Sequence, residues 1–204
     1  MSETNFLFSL PSFEHRELSG VETGKARKLK TKMKQDRIKA MRQETADQFL
    51  DRLPVDGEQI HILSNGKFDY WGLITRGMEL TRGQIESLFV STWTMNLPIA
   101  RDICERIKQK KILSVTCWLN NYLKSREPHV WAYLQEHLGQ WGQKVFATEN
   151  HAKIAAWRNN HGEHYVISGS ANLTANPRIE QNFIAKSKEL HDFYVDAFKA
   201  IEPK

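Results

Sequence analysis

Two short polar tracts, His151-Ala152-Lys153 and Gly169-Ser170-Ala171-Asn172, constrain the fold of this chain more than any other feature. In each tract polar residues alternate with alanine. On an extended segment that spacing puts the polar side chains on one face and the alanine on the other. If the two tracts lie on neighbouring strands, His151, Lys153, Ser170 and Asn172 converge on one patch while Ala152 and Ala171 turn toward the core. Glu180 follows downstream and adds a carboxylate.

Those residue types suit one reaction. Breaking a phosphodiester near neutral pH requires a nucleophile, donors that hold the phosphoryl oxygens as charge develops, and an acid for the leaving oxygen. The neutral imidazole of His151 can attack phosphorus, and Lys153 brings a cation to the same phosphate. Ser170 and Asn172 add hydrogen-bond donors. Glu180 can accept from the second nitrogen of a histidine and so fix its tautomer. Plainer explanations stand beside these: a hydrogen-bonded structural histidine at position 151, an ordinary turn at Gly169-Ser170, an ion pair between Glu180 and Arg178. His-x-Lys alone is a weak signal. Its combination with a following Gly-Ser-x-Asn is much more specific.

That combination resembles the phospholipase D superfamily, whose members carry His-x-Lys, usually an Asp a few residues later, then Gly-Ser-x-Asn and a downstream acidic residue. The resemblance covers residues 144–187, and the run 169–181 looks like the DNA-processing and phage-type branch. It implies an α/β fold with a phospholipase D-like mixed β-sheet flanked by helices. The implied activity is a phosphodiesterase that needs neither metal nor cofactor, with His151, Lys153, Ser170, Asn172 and Glu180 as its catalytic set. In the family one histidine forms a phosphohistidine and a second, from another copy of the motif, protonates the leaving group. This chain has one copy, since the triplets that begin at His15, His61, His129, His137 and His191 all lack the lysine. The resemblance therefore implies a homodimer with one composite site on its two-fold axis. The family's Asp falls here on Arg158, beside Asn159, and the turn-rich stretch 159–163 reads as a longer hairpin. Because that Asp is mainly a structural partner, its replacement bears on local geometry more than on catalysis.

The net charge of +5 is unevenly distributed. Lys25, Arg27, Lys28, Lys30, Lys32, Lys34, Arg37, Lys39 and Arg42 face a single acid, Asp36, so residues 25–42 carry +8 and the rest of the chain −3. A concentrated cationic segment beside a phosphodiester motif suggests salt-dependent capture of a nucleic acid through its phosphates. A solvated helix face or a flexible leader is the bland alternative. Nucleic acid, DNA rather than RNA, is the expected partner. A nucleic-acid-binding protein that grips phosphate without cutting is the main alternative function, and an enzyme acting on phospholipid a third.

With 40% apolar residues, including six Trp and ten Phe, the chain can bury a sizeable core. No apolar run approaches the roughly 20 residues of a membrane span, and residues 1–10 do not read as a secretory signal, so a cytoplasmic protein without membrane contact is expected. Cys104 and Cys117 lack a metal-type spacing and read as reduced core residues. Residues 1–53 form a basic leader, with a helix expected from Lys25 on the spacing of Leu29, Met33, Ala46, Phe49, Leu50 and Leu53. Residues 54–204 form the α/β domain. Strands are expected at 60–63, 70–75, 87–95, 112–119, 144–148, in the motif, and at 182–185. Helices are expected at 98–110 and 128–141, with a closing helix that carries Leu190, Phe193, Tyr194, Ala197, Phe198 and Ile201 on one stripe. Trp71, Trp93, Trp118, Trp131 and Trp141 are expected in the core. Trp157, Arg158, His161 and His164 lie near enough in sequence to touch a substrate.

Overall fold

The computed structural model describes residues 49–64, 70–174 and 178–202, and the backbone alone at 27–28 and 37–38. Among these, a nine-stranded sheet carries five helices. Seven strands make its body: β3 (Gln59–Ser64), β4 (Ile85–Thr92), β5 (Ile112–Asn120), β6 (Lys144–Thr148), β7 (Ile154–Asn159), β8 (His164–Gly169) and β9 (Glu180–Lys186), in the order β3-β9-β8-β7-β4-β5-β6. The sheet has two halves of different construction. β4, β5 and β6 are parallel, joined by helical crossovers, as parallel neighbours require. β7, β8 and β9 form an antiparallel meander, and β7 joins it to β4 antiparallel. β3 closes the far edge against β9.

The two shortest strands, β1 (Arg27–Lys28) and β2 (Arg37–Ile38), pair with β3. The helix expected from Lys25 is therefore not what these four residues adopt. β3 otherwise offers an open edge, and an edge of unpaired N–H and C=O groups takes up extended chain. The rest of the basic segment lies outside the described residues, as do the side chains of its nine cations.

The helices are α1 (Tyr70–Leu80), α2 (Leu97–Lys108), α3 (Asn121–Arg126), α4 (Pro128–Gln140) and α5 (Lys188–Ala200). Where a strand was expected at 70–75 the chain is helical. The aromatic and β-branched residues there favour a strand locally, but Tyr70, Trp71, Leu73, Ile74, Gly77 and Met78 are buried at helical spacing. Packing decides the matter. A Cβ at Gly77 would lie 2.7 Å from the Trp157 ring, so glycine lets α1 sit directly on β7. α2 starts where Asn96 Oδ1 accepts from Ile99 N at 3.0 Å, with Pro98 in its first turn, and ends on Arg106 and Lys108. α3 was not expected. Its six residues follow the cap Asn120, whose side chain accepts from Tyr122 N at 2.7 Å.

Alternate residues of each central strand feed two cores. Leu88, Val90, Val115, Cys117, Ala155, Trp157, Tyr165 and Ile167 meet α1, α2 and α4 on one face, and Phe49 and Leu50 are buried in the same cluster. Phe89, Trp118, Ile154, Ala156 and Val166 meet α5 on the other. Both cysteines are free and buried, and burial pushes the Cys117 thiol up to about 12. α5 covers its face with Leu190, Tyr194, Val195 and Phe198. Phe193 and Ile201, expected on that stripe, are 65% and 60% exposed. Phe193 faces away from it, and Ile201 follows the last helical residue. Among the described residues no helix is long and apolar enough to cross a membrane.

Candidate active site

Strand ends, not strand faces, gather the motif. His151, Ala152 and Lys153 immediately precede β7, and Ser170 to Asn172 follow β8, so the β7–β8 pairing brings both tracts to one end of the sheet. The C-terminal ends of β4 and β5 lie there too. Crevices at the carboxyl ends of parallel strands are where open α/β sheets place ligands. Ala171 enters the core on the α1 face and Ala152 packs on the α5 face, so the alanines anchor the two tracts from opposite sides.

Lys153 is only 7% exposed, and its Nζ lies 2.8 Å from His151 Nδ1 and 2.7 Å from the His151 carbonyl oxygen. Burial pushes its pKa down, and the negative charge of Glu180 opposes that shift. A protonated lysine has only protons to offer, so Nδ1 accepts and a neutral His151 then carries its own proton on Nε2. In that tautomer the ring can donate to a leaving oxygen. Attack through Nε2 requires Lys153 to leave Nδ1, and a phosphoryl oxygen arriving at the site would draw it away.

Ser170 Oγ donates to Glu180 Oε2 and accepts from Gln181 N at 3.0 Å. Among the described residues no hydrogen bond joins Glu180 to His151; within one chain its carboxylate holds Ser170 and acts on Lys153. Gly169 is required by close approach, because a Cβ there would lie 2.2 Å from the Gln181 carbonyl oxygen on β9. Asn172 Oδ1 accepts from Thr92 Oγ1 at 3.4 Å. Its NH2 group makes no hydrogen bond among the described residues.

The sequence reading missed the residues that pin this loop. Asn150 is buried, its Nδ2 donating to Ser91 Oγ at 2.9 Å and to the Trp118 carbonyl at 3.0 Å, while its Oδ1 accepts from Ala152 N at 3.0 Å. Asn120 Nδ2 donates to the Asn150 carbonyl at 2.7 Å. Asn150 thereby ties His151 to the ends of β4 and β5. Its position next to His151 was a signal available in the sequence; its partners on distant strands were not.

The four residues named on proximity in sequence sit elsewhere. The 159–163 turn caps the opposite end of β7 and β8, a strand length from the motif. Trp157 is buried and donates to Thr81 Oγ1 at 3.0 Å. Arg158 pairs with Glu86 at 3.3 Å. His161 belongs to the turn, and His164 stacks edge-on against His191. Trp93 departs from expectation in the other direction. It is half-buried, with its ring centroid 6.0 Å from that of His151. Trp141, 36% exposed, is also not a core residue.

No protein-family model and no curated protein sequence matches the chain. Solved structures do. The phospholipase D family member Nuc from Salmonella typhimurium is 14% identical, with 63% of this chain and 83% of Nuc covered and a TM-score of 0.47. Polyphosphate kinase from Porphyromonas gingivalis is 13% identical, with 72% of this chain covered and a TM-score of 0.51. The match spans 26% of the kinase. Yeast tyrosyl-DNA phosphodiesterase is 12% identical over 52% of this chain and 26% of its own, with a TM-score of 0.33. At these identities the likeness speaks to the fold alone. The fold is a mixed α/β sheet flanked by helices, and the kinase match shares it over 72% of this chain.

Proposed function

We propose that the chain is a phosphodiesterase acting on nucleic acid, with His151 as nucleophile in a site completed by a second copy. One observation supports this above the others: a buried lysine held on a histidine at the carboxyl ends of parallel strands, with a serine, an asparagine amide and a carboxylate beside it. Lys153 supplies positive charge to the phosphate, the role a metal plays in other phosphodiesterases, so the reaction needs no metal. His151 Nε2 attacks phosphorus, an N–P bond forms, and the bond to the leaving oxygen breaks. That oxygen takes a proton from His151 of the partner subunit. Water then attacks phosphorus, the N–P bond breaks, and the water's proton returns to the partner's His151. Lys153, Ser170 and Asn172 hold the phosphoryl oxygens. The basic segment from Lys25 to Arg42 would add salt-dependent phosphate contacts.

The test is cleavage of plasmid, single-stranded DNA and RNA in EDTA by the wild type and His151→Ala. His151 is exposed, so the variant is expected to fold normally and to lose cleavage at least about 1,000-fold. An active variant, or activity that returns only with added divalent metal, overturns the proposal. A monomeric mass in solution overturns the shared site. Arg158 standing where the family places Asp favours a second reading, a phosphate-gripping protein that does not cut. Salt-sensitive binding with no trapped phosphoprotein would establish that reading.

A further inference from the structure

Beside His151 the surface falls into an open depression lined by Trp93, Asn120, Tyr122, Glu149, Asn150 and His151. Its walls are unusual for a phosphate site. Trp93 and Tyr122 stack with ring centroids 4.6 Å apart and 21° between planes. Tyr122 is 38% exposed, and the Arg126 guanidinium lies 5.6 Å from its ring centroid. The pair is built by the ends of two strands: Trp93 follows Thr92 at the end of β4, and the Asn120 cap at the end of β5 turns the chain so that Tyr122 comes under it. The lining also includes Glu149, an exposed carboxylate that accepts from Asn121 Nδ2 at 3.0 Å.

Resting on the phosphodiesterase reading above, we propose that this depression binds an unpaired nucleobase of a single-stranded nucleic acid, stacked against Trp93 and Tyr122, while the adjoining phosphate lies at His151 and Lys153. Three features select that occupant. Trp93 sits 6.0 Å from His151, within the reach of one nucleotide from the reacting phosphate. The two rings are stacked on each other, so a base takes an outer face of the pair, and base–aromatic stacking is indifferent to sequence. Glu149 repels a second phosphate and accepts from ring N–H or amino groups, so the hollow takes a base and not more backbone. In a duplex the faces of the bases are covered by their neighbours and only the edges are presented, so a paired strand cannot use this site without unstacking. The Arg126 cation remains available to the next phosphate along the strand.

The experiment compares a single-stranded oligonucleotide with an abasic strand of the same length and phosphate count, using the full chain. Binding is read by anisotropy and cleavage in EDTA by gel, for the wild type, Tyr122→Leu and Trp93→Phe. The wild type is expected to bind the native strand about tenfold or more tighter than the abasic one. Tyr122→Leu keeps an apolar side chain without the ring and should lose most of that preference while binding the abasic strand unchanged. Trp93→Phe, the conservative variant, should retain most of it. Equal binding and cleavage of both strands by the wild type overturns the base site and leaves the phosphodiesterase standing. Failure to bind or cut either strand overturns both. A preference that survives Tyr122→Leu intact removes the base from the Trp93–Tyr122 pair and also overturns the proposal.

Discussion

The β7–β8 hairpin is held by a buried asparagine at each end, and the two ends treat their polar groups differently. At the turn, Asn159 Nδ2 donates to the Arg82 carbonyl at 2.7 Å and to Glu163 at 2.8 Å, while its Oδ1 accepts from the backbone of His161 and Glu163. Glu163 in turn takes Lys186 at 2.8 Å. That hydrogen bond pulls the carboxyl below its usual range and raises the lysine, as a mutually stabilising pair should. At the motif end Asn150 is equally well satisfied, but among the described residues the cation beside it has no carboxylate in hydrogen-bond contact. That cation, Lys153, is buried and its pKa is pushed down. Both polar atoms of the Asn182 side chain, opposite Gly169, are buried without a partner among the described residues. Buried polar groups normally find partners, so a buried lysine without a carboxylate and an unpartnered amide at this end are what the proposed function calls for.

Exchanging the same residue type at the two ends gives the sharpest test of that contrast. Lys153→Met is expected to lower turnover about 100- to 1,000-fold. Its melting temperature should hold or rise, because a buried cation is replaced by an apolar chain of similar length. Lys186→Met should leave turnover within about twofold and cost roughly 1–2 kcal/mol by stranding Glu163. Urea unfolding and a cleavage assay on both variants decide it. If Lys153→Met is the less stable of the two and still cuts, the motif end is structural.

The asparagines form a second matched pair with a smaller expected effect. Asn150→Ala and Asn159→Ala each remove several buried hydrogen bonds, and each should cost about 2–4 kcal/mol. Only Asn150→Ala should also lower the turnover of the fraction that remains folded, since it frees the His151 loop from β4 and β5. Equal turnover in the two variants would mean that the loop holds its geometry without the clamp.

Glu180 separates the roles of charge and hydrogen bond at the motif end. Its negative charge favours protonated Lys153, against burial. Glu180→Gln removes that support, so the lysine pKa falls further. Activity that needs the ammonium should then be lost at lower pH than in the wild type. The alkaline limb of the pH–rate profile reports this shift; a limb that moves up or stays in place would show that Glu180 does not act through Lys153.

What could be read from the sequence follows from the range of the interactions involved. Local signals located α2 and α4 to within two residues, because caps, prolines and a 3.6-residue apolar period are properties of neighbours along the chain. The strand period was misread at α1, where Tyr70, Trp71 and Ile74 have strand-like chemistry and only contact with Trp157 and the rest of the core shows the helix. The motif tracts were legible as a set, and Gly169 and Ala171 are placed by the packing constraints that their small size suggests. The Asn150 clamp was not legible, since its partners Ser91, Trp118 and Asn120 come from strands remote in sequence. Trp93 failed for a related reason. An apolar pattern around a tryptophan near the end of a strand does not reveal that the strand has stopped and the ring has reached the surface.

The smallest expected effect lies at the turn end, where α5 buries His191 against His164. Burial pushes the His191 pKa down, and its Nδ1 contact of 3.0 Å to Asp192 opposes that. His164, whose ring centroid is 4.8 Å away, and Arg158 push it down as well. The folded state therefore holds this ring neutral to lower pH than the unfolded chain does. Stability is complete above the unfolded value near 6.5 and declines as pH falls through it, because the unfolded state then binds the extra proton. Asp192, held near 2 by Lys188 and His191, begins to cost stability only below about pH 4, so the two windows separate. Between pH 7.5 and 5.5 the melting temperature is expected to fall. His191→Leu should flatten that slope, and an unchanged slope would show that His191 is not the source of the acid sensitivity.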